Sequence, residues 1–181
     1  MDTSEMEKLY EQYFPRVYRT AFFITGDYQT AEDVAQEAFL KAFASLHKLQ
    51  DRQKFGSWIS VIASNHAVDL LRKQKKISLS DNMETYGGEA HGDNPTECWE
   101  KEENIREVRE ALALLEPEER EILVLKYFNE LSINDIASLL AAPAGTIKSR
   151  LFRARDKVRL LLQPRSTEKR PLSKRNLPLE Y

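Results

Sequence analysis

The chain is short of several things that would decide its class. It has one cysteine, Cys98, in 181 residues, which excludes an internal disulfide framework and any multi-thiolate metal site. His47 and His91 have no carboxylate or cysteine at ligand spacing, so no metal is expected. Six glycines are too few for the many tight turns of an all-β protein. No apolar run approaches the roughly 18 residues of a membrane span. The opening MDTSEMEKLYEQYF is acidic and lacks an apolar h-region, so no secretory signal is expected; direct membrane insertion is not expected either, and a cytoplasmic location is. Excess charge of one sign is also missing: 27 basic residues against 29 acidic ones leave a formal charge of −2.

That balance hides a strong asymmetry. Residues 51–76 hold six basic and two acidic side chains, and 148–181 hold eleven and three. Between them, residues 77–121 hold four and fourteen. Each basic block can attract polyanions, because phosphate affinity follows local charge. Solvated helix faces with a disordered tail are the alternative.

Helical periodicity dominates what is there. Leu9, Tyr13 and Val17 form one row, with Tyr10, Phe14, Tyr18 and Phe22 beside it. Pro15 reads as a break with a second helix starting near it, and Gly26-Asp27 as a stop. Thr30 with Asp33 suggests a capping box. An amphipathic helix follows, with Val34, Ala38, Ala42 and Leu46 in one row and Ala35, Phe39 and Phe43 in the next. After a turn-like stretch from Lys48 to Phe55, Ser57 caps a helix whose buried stripe is Ile59, Ile62, Ala63, His66 and Leu70. Its end, Arg72-Lys73-Gln74-Lys75-Lys76, suits a helix C-terminus. His66 reads as a core histidine.

These patterns predict an all-α chain of two small helical domains. Residues 1–76 form the first. Residues 77–104, with glycines and Asp93-Asn94-Pro95 among eight acidic side chains, form an acidic flexible linker. Within it, Cys98 beside Trp99 reads as a passive thiol. Residues 105–162 form the second domain, with apolar rows at Ile105, Val108, Ala111, Leu112 and Leu115, then Ile122, Leu123, Leu125 and Phe128. Residues 163–181 hold three of the seven prolines and read as a disordered basic tail.

Ser132 caps a short helix carrying Ile133, Ile136, Ala137 and Leu140. After Ala141-Ala142-Pro143 comes a last helix, and the pair has the spacing of a helix-turn-helix. The last helix has two faces. Ile147, Leu151, Ala154, Val158 and Leu161 form a core stripe, while Gly145, Lys148, Ser149, Phe152, Arg153 and Asp156 lie on the other side. The first residues of a recognition helix reach base edges in the major groove. Lys148 and Arg153 can donate to guanine or to phosphate, Ser149 can bond either, and Phe152 can touch a thymine methyl. Gly145 and Thr146 sit where the helix N-terminus would approach a phosphate.

Taken together, the blocks AEDVAQEAFLKAF (31–43), FGSWISVIASNHAVDLLRKQKK (55–76) and LEPEEREILVLKYFNELSINDIASLLAAPAGTIKSRLFRAR (115–155) resemble regions 2 and 4 of the extracytoplasmic-function sigma factors of bacterial RNA polymerase. The resemblance covers nearly all of 5–162. It implies a promoter-specificity subunit with no enzymatic activity or cofactor, whose partners are promoter DNA, core RNA polymerase and an anti-sigma factor able to hold it at the membrane. By motif match, Lys148, Ser149, Phe152 and Arg153 would read the −35 element, with Lys126 and Thr146 on its backbone. Asn65, Asp69, Arg72 and Lys73 would contact the opened −10 strand, and the 48–56 stretch would capture a flipped base. Asp33, Gln36 and Glu37 would dock on the clamp helices of the largest polymerase subunit. The acidic linker would thread through basic channels of the polymerase.

Four departures stand out. Asp135 replaces a usual glutamate, Ala141 a turn glycine, and Ser64 a larger polar residue. Val61 and Ile62 stand where housekeeping sigma factors carry a tryptophan wedge, which implies weaker melting and a stricter promoter demand. Two other classes are weighed against this reading. A free-standing helix-turn-helix regulator would not need the 31–43 acidic helix. A nuclease-like enzyme would need clustered carboxylates or histidines.

Overall fold

The structure is a computed structural model that describes residues 3–80 and 103–162. It contains α1 (Thr3–Thr25), α2 (Tyr28–Ser45), α3 (Phe55–Ser80), α4 (Glu103–Ala113), α5 (Pro117–Leu123), α6 (Ile133–Leu139) and α7 (Ala144–Leu161), with no strand among the described residues. Helices α1 to α3 form one bundle and α4 to α7 a second.

Helix α1 runs through Pro15 without a break, contrary to the expectation from sequence. Proline removes one i→i−4 hydrogen bond, but Pro15 and Glu11 both lie on the exposed side, where water can serve the freed carbonyl. At the edge of the core a largely half-buried aromatic ladder spans the site. Tyr10 stacks on Phe14 at 4.9 Å, Phe14 on Tyr18 at 6.0 Å, and Tyr18 on Phe22 at 6.4 Å.

Gly26 ends α1 with φ +76°, the left-handed geometry of a helix C-terminus. Asp27, rather than Thr30, caps α2: its Oδ1 accepts from the Thr30 amide at 2.7 Å and the Thr30 hydroxyl at 2.6 Å. Asp33 is thereby left exposed on the helix surface. Ser57 is likewise not a cap. Asp51 accepts from the Gln53 amide at 2.9 Å and starts a 3-10 turn, Arg52–Lys54, that leads into α3. Gly56 is needed there because a Cβ would stand 2.6 Å from Tyr13 Cε1. Helix α3 continues to Ser80, past Lys76, where the basic run ends.

The first core unites Val17, Ala21, Ile24, Val34, Ala38, Phe39, Phe55, Ile59 and Ala63, so both expected rows of α2 face inward. The second unites Leu112, Leu115, Ile122, Leu125, Ile136, Ile147, Leu151 and Ala154. Two expected core residues lie outside: Val108 is 42% and Leu161 43% exposed. Leu161 belongs to the last turn of α7, beyond the buried Ile147, Leu151 and Ala154.

Helix α5 passes into one π turn, Val124–Phe128. Ser132 caps α6 as expected, accepting from the Asp135 amide at 3.1 Å, while Asp135 accepts from the Ser132 amide at 3.3 Å. Aspartate therefore fills the role of the usual glutamate. The turn into α7 places Ala141 at φ +49°, which a residue with a Cβ adopts at a cost of about 1–2 kcal/mol. Ala141→Gly is therefore expected to stabilise the chain by about 0.5–1 kcal/mol, after the extra backbone entropy of glycine is subtracted. In thermal unfolding this is a rise of roughly 1–4 °C; no rise would mean the turn is not held in this conformation.

The two bundles touch. Val61 of α3 joins the second core, and Val124 joins the first. Phe23 meets Phe128 edge-on at 5.1 Å, and the Arg109 guanidinium lies 5.0 Å over the Phe22 ring. Arg16 donates to the Asn129 carbonyl at 2.6 Å and to its Oδ1 at 2.9 Å, and Asn129 Nδ2 donates to Thr20 Oγ1 at 3.0 Å. Arg120, buried in α5, donates to the Ile24 carbonyl at the end of α1 and to Leu115 O at 3.2 Å.

Candidate nucleic-acid interface

Helix α7 carries the sharper surface. Ile147, Leu151 and Ala154 are buried against α5 and α6, which turns Lys148, Ser149, Phe152 and Arg153 outward, all exposed. Phe152 is 71% exposed. A phenylalanine there forgoes about 2 kcal/mol of burial, so its place on this face answers to something other than the core. The Ser149 hydroxyl donates to the Thr146 carbonyl at 3.0 Å, which leaves its lone pairs outward. Thr146 lies half-buried in the first turn of α7. Lys126 is half-buried too, and donates to Leu131 O at 3.3 Å; this fixes it beside the helix-turn-helix.

Helix α3 carries the second surface, and the four residues grouped there by sequence divide. Asn65, Asp69 and Lys73 form one exposed stripe. Arg72 lies on the adjoining stripe and turns away: its Nε and Nη2 each reach Glu118 Oε1 of α5 at 2.6 Å. Its Nη1 stands 3.6 Å from Asp69. The Glu118 hydrogen bond holds Arg72 above its ordinary pKa. Partial burial pushes the Glu118 carboxyl up, but backbone and Arg72 hydrogen bonds hold it lower overall. Along the same stripe, Lys75 Nζ reaches Glu116 at 2.9 Å, Ser64 is buried, and Val61 is 3% exposed.

Ser64 Oγ lies 2.9 Å from Glu121 Oε1 and 3.1 Å from the Val61 carbonyl. One hydroxyl proton cannot serve both. A neutral Glu121 donating to Ser64, with Ser64 donating to Val61, satisfies all three groups. Burial pushes the Glu121 carboxyl up to about 7, against the lowering effect of Ser64.

Helix α2 carries a third surface. Asp33 and Gln36 are exposed and Glu37 half-exposed. Glu37 pairs with Lys41 at 3.4 Å. Lys41 Nζ lies 3.3 Å from His66 Nδ1, so this nitrogen accepts. Burial, then Lys41, push His66 below its ordinary pKa. It is half-buried rather than in the core.

Residues 9–77 match the family described as Sigma-70 region 2, and residues 105–158 match Sigma-70, region 4. The ECF RNA polymerase sigma factor SigM of Bacillus subtilis is 30% identical over 86% of this chain and 94% of its own length. The chain belongs to the extracytoplasmic-function sigma factors. SigW of the same organism is 28% identical over 90% of this sigma factor and 91% of its own length. Among solved structures, the sigma factor RpoE in complex with the anti-sigma factor NepR from Bartonella quintana has the same fold. It matches at a TM-score of 0.71 and 24% identity, over 88% of this chain and 98% of its own.

Several residues that shape these surfaces escaped the sequence. Leu40, one helical turn beyond Gln36 and Glu37, is 66% exposed and adds an apolar knob to the α2 face. Its spacing from Asp33 (i+7) was the available signal. Arg120, Glu121 and Asn129 are buried although charged or polar. Nothing in a single sequence separates them from the solvated majority of such residues.

Proposed function

We propose that this sigma factor works as the promoter-specificity subunit of RNA polymerase through three surfaces. Lys148, Ser149, Phe152 and Arg153 read the −35 element, with Thr146 and Lys126 on its phosphates. Asn65, Asp69, Arg72 and Lys73 hold the opened −10 strand, and Asp33, Gln36 and Glu37, extended by Leu40, dock on the largest-subunit clamp helices. In this reading residues 1–76 and 105–162 are the working units, 77–104 the connector and 163–181 a basic tail. The observation that carries it is one chain with an exposed recognition-helix face on α7 and an exposed polar stripe on α3. A regulator acting alone would have no use for the second. The factor provides recognition, and bond-making belongs to the polymerase. No helix of the described residues is long and apolar enough to cross a membrane, and the factor acts in the cytoplasm, under an anti-sigma partner that masks its DNA surfaces. Support for that partner comes from the similar solved structure of a sigma factor in complex with an anti-sigma factor.

Asp33→Ala/Glu37→Ala is expected to weaken binding to core polymerase by about tenfold or more, as loss of interfacial charge pairs does. Both residues lie on the outer side of α2, so the melting temperature should hold. Unchanged affinity for core, measured by fluorescence titration, would refute this docking surface.

A further inference from the structure

The stripe of α3 that faces the second bundle is the neighbour of the stripe left open for DNA. Going along it, Val61 is sealed in the second core and Ser64 meets Glu121. Arg72 meets Glu118 at 2.6 Å, and Lys75 meets Glu116 at 2.9 Å. The partners of both cations come from the first turn of α5 and the residue that precedes it. That segment, Glu116-Pro117-Glu118-Glu119, carries three carboxylates in four residues.

We propose that the acidic start of α5 is a competitor for the promoter strand built into the chain: Glu116 and Glu118 occupy Lys75 and Arg72 as strand phosphates would, so the closed arrangement of the two bundles withholds Arg72, one of the four residues assigned to the strand, together with the neighbouring cation Lys75. This rests on the assignment of α3 to the −10 strand. Magnitudes separate the parts played. The two ion pairs are largely exposed, with side chains 55% and 30% exposed in one and 58% and 56% in the other, and such pairs stabilise a fold very little. Closure is held instead by the apolar contacts of Val61, Phe23 and Phe128 and by the buried bonds of Arg16, Arg120 and Asn129. The carboxylates matter for what they exclude. A cation already neutralised releases no counterions when a phosphate arrives, and the incoming strand meets a negative field rather than a positive one. Ser64 fits the same scheme, since a larger polar side chain at this position would hold Glu121 away from α3. Opening the bundles exposes Arg72 and Lys75 together with Val61 and completes the face.

The test uses the full chain and a fluorescein-labelled random pool of single-stranded 15-nucleotide DNA, followed by anisotropy at low salt. Glu116→Gln/Glu118→Gln is expected to bind at least fivefold more tightly than the wild type. Glu7→Gln/Glu11→Gln removes the same charge from the exposed side of α1 and is expected to give a much smaller gain. In an Arg72→Ala/Lys75→Ala background the gain should vanish. A gain equal to that of the α1 control, or one that survives in the Arg72→Ala/Lys75→Ala background, overturns the competitor. Asn65→Ala/Lys73→Ala separates the two levels: if it weakens strand binding while the α5 variant does nothing, only the competitor fails. If it binds as the wild type does, the strand assignment of α3 fails and the competitor with it.

Discussion

Glu121→Gln is expected to behave like the wild type near pH 4 and to grow more stable relative to it as pH rises, by about 3 kcal/mol at pH 8. The difference comes from one buried carboxyl. In the folded chain Glu121 titrates at about 7, against an ordinary 4.5. The groups facing it are Ser64 and Arg72 on α3, Glu118 on α5 and Arg150 on α7, and burial outweighs the two cations. Because the folded value lies above the unfolded one, the stabilisation from the neutral carboxyl is full below pH 4.5. It is lost as pH rises through about 7. Glutamine keeps the donor to Ser64 and cannot ionise, so the variant escapes the loss. Denaturant unfolding of both proteins from pH 4 to pH 8 reads the gap directly. A gap that does not change with pH would mean that Glu121 ionises in water and that α5 does not rest on α3.

Arg153→Ala is expected to relax discrimination within the −35 element at a cost of roughly 1–3 kcal/mol, concentrated at one position. Three buried residues of α7, Ile147, Leu151 and Ala154, fix the rotation of the helix. Arg153 and Phe152 therefore point outward beside Lys148. A guanidinium can grip guanine O6 and N7 together, which a phosphate contact does not require. Transcription from a set of promoters with single −35 substitutions distinguishes the two roles. If activity falls equally on all of them, Arg153 holds only the backbone.

Much of this was legible in the chain because its helices obey one rule. Apolar rows at 3.6 spacing located α2, α6 and α7 and separated the wet face of α7 from its core stripe. The misreadings have local causes. Pro15 looked like a break because a sequence does not display the aromatic ladder that carries α1 past it. Thr30 and Ser57 have the chemistry of caps, but Asp27 and Asp51, equally good acceptors, stand a few residues earlier and take the first free amides. Arg72 is grouped with Asn65, Asp69 and Lys73 by the family resemblance and by helical spacing, and neither can foresee a carboxylate 46 residues away. The balanced charge concealed most. Part of the acidic block that offsets the basic ones is set directly against them, at Glu116 and Glu118.

Run-off transcription with bare core polymerase and a promoter library tests the central claim most directly. The three-surface account predicts discrete products that depend on this chain and start downstream of paired −35 and −10 elements. No promoter-specific product, together with DNA binding that persists without polymerase, would contradict it.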